Sequence, residues 1–282
     1  MKKFFLLLIP FVLFSFSSGD NRGYEIYNAK GKTVNFEKMI KGLKGANVIL
    51  VGELHNNPIS HWIEYEIANA FINDEPVFGA EMYEADNQVI IDEYLAGYIS
   101  DKNFTGQMRL WKNNATDYQP LMDLAKENNR PFIATNIPRR YASIVYRDGF
   151  EGLEQLSDEA KSWIAPLPIE VDMELPGYKA MLEMGMAHGG DKIVKSQALK
   201  DATMAYFIGK NLDKGKVFIH FEGAYHSDNF EAIYHYLKKE FPNLDIKTVS
   251  TVEQADVGEW DEENDGLADF VVVVDENMTK TY

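Results

Sequence analysis

Short, mainly apolar runs rich in β-branched residues alternate along this chain with longer stretches whose apolar positions recur at helical spacing. The runs at 47–51, Pro76 to Ala80, Pro131 to Ala134, 216–221 and 269–274 read as strands, and so does the more polar segment 245–250. Their lack of polar alternation is the mark of parallel strands covered on both faces. Between them, Ile59, Ile63, Ile67 and Phe71 form one helical stripe behind Pro58, and Ile90, Ile91, Tyr94, Leu95 and Tyr98 form another. Further helices are expected over Lys38 to Leu43, around Leu121–Ala125 and over 229–240. Tyr24 to Tyr27, a turn at Lys30-Gly31-Lys32 and Thr33-Val34 suggest a short hairpin or an ordered arm. Residues 150–215 hold no convincing strand, only two helices over roughly 173–188 and 191–212, joined at His188-Gly189-Gly190. Asp256 to Asp269 reads as an exposed acidic loop. The pattern therefore predicts an α/β fold: a doubly wound, mainly parallel sheet with a smaller helical insertion at about 150–215, all in a single domain over 20–282.

The first nineteen residues stand apart. Met1-Lys2-Lys3, an apolar run from Phe4 to Phe16 and then Ser17-Ser18-Gly19 have the layout of a signal peptide. That run is short for a membrane span. The expectation is an exported protein, periplasmic or associated with the outer membrane. The chain has no Cys. Disulfides, thiolate metal sites, Cys nucleophiles and an acylated lipoprotein anchor on its own Cys are thereby excluded. A formal charge of −16 argues against nucleic acid and anionic lipid as partners.

Chemistry concentrates where strands end. Val48-Ile49-Leu50-Val51-Gly52-Glu53-Leu54-His55 carries a carboxylate and an imidazole just past the first run, and Gly223-Ala224-Tyr225-His226 repeats the Gly-x-x-His spacing downstream. Glu81 follows the second strand, and Asn136 and Arg139 follow the third. Ligands of open α/β sheets bind outside the carboxyl ends of the strands, so these side chains are expected on one edge. Together they could hold a divalent metal through His55, Glu81 and His226, or run acid–base chemistry through Glu53, His55, Glu81 and His226. They could equally grip the propionates of a larger cofactor through Arg139. Alone, each residue is as readily a loop, cap or surface-pair residue; their coincidence at four strand ends carries the inference.

Other residues have plainer readings. Asp201 falls on the apolar face of its helix, where it needs a partner if buried; structural pairing and a site role stay equally open. Met181, Met184, Met186 and His188 read as core filling rather than ligation. Tyr83, Tyr118, Tyr141, Tyr206 and Tyr225 lie near the edge, and phenolate is a haem-iron ligand. His61 and His235 read as structural. No dinucleotide fingerprint, P-loop, nucleophile elbow or His-Glu-x-x-His motif is present.

The strand-end segments, with Gly79 to Tyr83, Ala134 to Arg139 and Gln197 to Ala205, resemble the ChaN-like haem-binding proteins of the Tiki/TraB/erythromycin-esterase superfamily. The resemblance implies haem as cofactor, a role in haem or iron uptake, a Tyr on the iron, and paired haems at a homodimer interface. It also implies a transport partner at the outer membrane. It places Glu53, His55, Glu81, Asn136, Arg139 and His226 at the pocket, and Tyr225 is taken as the iron ligand because it adjoins His226. Other superfamily branches look like metal-dependent hydrolases, so Mn, Co or Zn activating water at the same cluster is the rival expectation.

Overall fold

A computed structural model describes residues 22–185, 190–212 and 217–282, the side chains of 184 and 185 aside. The segment read as a signal peptide lies outside the described residues, as do Met186, His188 and the side chain of Met184. Seven strands form one sheet: β1 (Tyr24–Asn28), β2 (Val48–Glu53), β3 (Val77–Glu84), β4 (Phe132–Asn136), β5 (Phe218–Gly223), β6 (Ile246–Gln254) and β7 (Phe270–Asp275). Their order across the sheet is β1-β7-β6-β2-β5-β3-β4. All neighbours run parallel except β1, which pairs antiparallel with β7. The arm foreseen at 24–27 is thus the seventh strand, and a single bridge from Tyr27 to Thr33 is what remains of the hairpin.

Alternate side chains of the central strands face opposite layers. Ile49, Val51, Phe78, Ala80, Ile219 and Phe221 pack against the helix Pro58–Ala70, through Ile63 and Ile67, and against Leu121 and Met122 of Gln119–Glu127. Val48, Leu50, Val77 and Phe218 face the other way, onto Met204, Ala205 and Ile208 of the long helix Asp191–Lys210 and onto Ile233 and Leu237 of Ile233–Glu240. The helices sit on both faces, which is the doubly wound arrangement that the apolar runs call for.

Helices at Pro176–Gly185 and Asp191–Lys210 occupy the segment without strands. The second has two jobs. Its carboxyl-terminal half covers the sheet, while Val194 and Ala198 pack on Tyr178 and Met181 of the first. Met181 is a packing residue there.

The order β2-β5-β3-β4 matters most for chemistry. Strand β5 enters between β2 and β3, so the carboxyl ends of four parallel strands are consecutive. Their terminal residues need only short reaches to meet.

Candidate functional site

Both Gly-x-x-His glycines are required by close approach. On the register of β2 and β5, Glu53 lies opposite Gly223 and Gly52 opposite Glu222. A Cβ on Gly52 would come within 2.8 Å of Ala224 Cα, and one on Gly223 would meet the His55 ring at 2.8 Å. Backbone therefore touches side chain where the two motifs join, and only glycine fits.

His226 anchors one half of the site. It follows β5 on a short 3₁₀ turn, Ala224–His226, and is buried. Its Nε2 lies 3.1 Å from Glu81 Oε1, and its Nδ1 contacts Asp201 Oδ1. The other oxygen of Glu81 accepts the Gly223 backbone N–H at 2.9 Å, and the other oxygen of Asp201 accepts the Tyr178 hydroxyl at 2.6 Å. Burial opposes the His226 imidazolium, but the two carboxylates outweigh it and raise its pKa to about 10. Burial likewise pushes the Glu81 carboxyl up, yet His226, His55 and the Gly223 N–H together hold it far below the ordinary carboxylate range. Asp201, left open between structure and site, thus serves as the second carboxylate of His226.

Glu53 anchors the other half. Its Oε1 receives the Tyr118 hydroxyl at 2.8 Å and lies 2.6 Å from His55 Nδ1. Its Oε2 is 2.8 Å from His61 Nδ1, while His61 Nε2 faces Asp117 Oδ2 at 3.3 Å. Glu64, three residues further along the same helix, brings Oε2 to 3.6 Å from His61 Nδ1. Burial pushes Glu64 well above its ordinary pKa, and the adjacent Glu53 charge adds to it. His61, read from sequence as merely structural, is a full member of this cluster. The signal was its i,i+3 spacing from Glu64. Asp117 and Tyr118 gave none, because the short helix Asn114–Asp117 has no periodicity to read.

Between β3, β4 and the 110–113 loop opens a cleft of about 650 Å³. Glu81, Asn136 and Arg139 line it, together with Trp111, Ile137 and Lys200. A register shift between Ala80 and Glu84 relative to β4 lets the Asn136 amide donate to the Glu81 carbonyl at 2.9 Å. Asn136 Oδ1 is buried with no hydrogen-bond partner among protein atoms. Arg139 does not stand alone. Its Nε donates to Glu84 Oε1 at 2.7 Å, and Arg109 donates to Glu84 Oε2 at 2.9 Å. Arg140 pairs with Asp86 at 2.6 Å. His55 borders the cleft edge-on to Trp111, with ring centroids 4.8 Å apart.

Tyr225 is 61% exposed and is not among the cleft-lining side chains, whereas Tyr282 is. Tyr83, Tyr118 and Tyr141 are buried. The structure thus joins Glu53 to His55 and Glu81 to His226, brings Asn136 and Arg139 beside Glu81, and leaves Tyr225 outside.

Residues 39–237 match the family described as haem-binding uptake, Tiki superfamily, ChaN. The chain belongs to this family. As a ChaN-family protein it is similar in fold to the Campylobacter jejuni ChaN whose structure is described as showing cofacial haem binding. That similarity has a TM-score of 0.68 at 20% identity, over 90% of this chain and 98% of the other. A Bacillus cereus protein of known structure is similar at TM-score 0.50 and 11% identity, over 90% and 95% of the two chains. Comparison with curated proteins returned no match.

Proposed function

We propose that this ChaN-family chain binds haem in the cleft at the carboxyl ends of β3 and β4 and serves haem or iron uptake outside the cytoplasm. The single observation carrying the pocket assignment is the lining of that 650 Å³ cleft. Trp111, Leu110 and Ile137 offer an apolar wall, and Arg139, Lys112 and Lys200 offer cations around it. An apolar macrocycle with two carboxylate tails needs that combination. Asn136 Oδ1, buried and unpartnered, supplies an acceptor facing the same side. Bound haem would supply a ferric centre that a tyrosine phenolate could hold. Tyr225 and Tyr282 are the exposed candidates for it. Tyr225 suits a ligand offered at a homodimer interface, and Tyr282 one offered within the cleft. Glu53, His55, Glu81 and His226 shape and charge the floor in this reading. Export rests on the signal-like amino terminus, and no helix among the described residues is long and apolar enough to cross a membrane.

The hydrolase reading, with metal on His55, Glu81 and His226, is weaker on one point. Both ring nitrogens of His226 are already engaged by carboxylates, Nε2 by Glu81 and Nδ1 by Asp201, whereas a ligating imidazole needs one nitrogen free.

Haemin titration of the purified protein, followed in the visible spectrum, tests the proposal. A saturable signal typical of phenolate-ligated ferric haem is expected, lost in Tyr225→Phe or Tyr282→Phe and weakened about tenfold in Arg139→Ala, the loss of roughly one charge-assisted contact. Absence of saturation in the unaltered protein would sink it.

A further inference from the structure

We infer that Glu53, His61 and Glu64 form a buried binding site for a divalent first-row transition cation, behind the cleft and distinct from any haem site. One ligand atom from each lies within 4.8 Å of the others, and all three residues are buried. His61 is 5% exposed and Glu64 1%. Glu53 Oε2, both oxygens of Glu64 and both ring nitrogens of His61 lack a hydrogen-bond partner among protein atoms. Five unpartnered polar atoms on three buried neighbours is a costly arrangement for a protein interior. No hydrogen bond joins Glu53 to Glu64, and Glu53 Oε2 and both Glu64 oxygens are left without a partner. Although His61 Nδ1 is 2.8 Å from Glu53 Oε2 and 3.6 Å from Glu64 Oε2, it makes an aligned hydrogen bond to neither. An ion bound at about 2.0–2.2 Å from each donor holds its ligand atoms roughly 3 to 4 Å apart; here His61 Nδ1 stands 2.8 and 3.6 Å from the two carboxylate oxygens, within a set no wider than 4.8 Å.

The surroundings are built in the same sense. Tyr118 and His55 occupy Glu53 Oε1, which leaves Oε2 to point inward. Asp117 Oδ2 sits 3.3 Å from His61 Nε2, on the far side of the ring from the carboxylates. A carboxylate behind a ligating imidazole fixes its tautomer and orientation. Asn113 in turn donates to that Asp117 oxygen at 2.6 Å. A donor set of one imidazole and two carboxylates, without sulfur, selects Mn²⁺, Fe²⁺, Co²⁺ or Zn²⁺ over soft ions.

The inference does not rest on haem binding, and its test uses no haem. The full-length protein is stripped with a chelator, then dialysed against Mn²⁺ or Zn²⁺, and its metal content and thermal midpoint are read. One tightly held equivalent and a raised midpoint are expected. Glu64→Gln should lose that equivalent, and Asp117→Asn should weaken it about tenfold through the imidazole it positions. Circular dichroism of both variants, with the Glu81→Gln variant as a control, separates loss of metal from loss of fold. Should the unaltered protein hold no equivalent, or should Glu64→Gln retain it while Glu81→Gln loses it, the site is not at Glu53, His61 and Glu64.

Discussion

Two carboxylate–imidazole clusters lie side by side under one sheet edge, and they are finished differently. Around His226 every polar atom is paired: Glu81 and Asp201 each use both oxygens, and the ring uses both nitrogens. Around His61 five atoms have no hydrogen bond. Equal burial and similar residue types thus yield a closed ion-pair network in one place and an open ligand set in the other. The contrast teaches that a buried acid–imidazole cluster is judged by what its remaining lone pairs meet. A saturated cluster rigidifies the floor of the cleft; an unsaturated one asks for a ligand.

Four experiments would break or sharpen that contrast. Asp201→Ala leaves the His226 cation short of a partner inside the protein and should cost about 3–5 kcal/mol in urea denaturation. A loss below roughly 1 kcal/mol would mean that the His226 network is not closed as described. Gly223→Ala forces a methyl onto the His55 ring and should cost about 1–3 kcal/mol; it should also turn His55 off Glu53, visible as a changed imidazole resonance by NMR. A gradual effect comes from pH. His226 has a pKa raised from 6.5 to about 10, so its contribution is complete below 6.5 and is lost as pH climbs through 10. Glu81, depressed instead, contributes above its ordinary 4.5 and loses that contribution only in strong acid. Melting temperature should therefore fall between pH 6.5 and 10 in the unaltered protein, and the His226→Gln variant should lack this part of the slope. The smallest effect belongs to the open cluster. Glu64→Gln in chelated protein should shift stability by less than about 1 kcal/mol, or raise it, because no hydrogen bond to the carboxylate is lost. A loss as large as that of Asp201→Ala would erase the distinction.

Much of this was legible from residue order. Apolar runs identified β2 to β5 and β7 to within a few residues, because near-continuous hydrophobicity marks strands covered on both faces, while β6 was read from the more polar segment 245–250. Strand ends pointed to Glu53, His55, Glu81, Asn136, Arg139 and His226, since parallel strands deliver their termini to one edge. What escaped was set by tertiary placement. Nothing local says that β5 enters between β2 and β3, and that insertion is what brings Gly223 against His55. His61 and Glu64 hide on a helix whose Ile63 and Ile67 satisfy the amphipathic pattern by themselves. Asp117 and Tyr118 come from a four-residue helix in a polar stretch, and Tyr282 reaches the cleft from far along the chain.

The strand order also dictates when the protein can become itself. Strand β2, at the centre, is flanked by β5 and β6, and β1 is held only by β7. Tyr24 pairs with Val274, almost the whole chain away. A polypeptide emerging amino end first therefore carries its central strand unzipped on both sides until the last quarter of the sequence is released. The His226 cluster, which joins Glu81 to Asp201 and to a residue just past β5, can therefore be completed only near the end of synthesis, whereas every residue of the His61 cluster has been made by Tyr118.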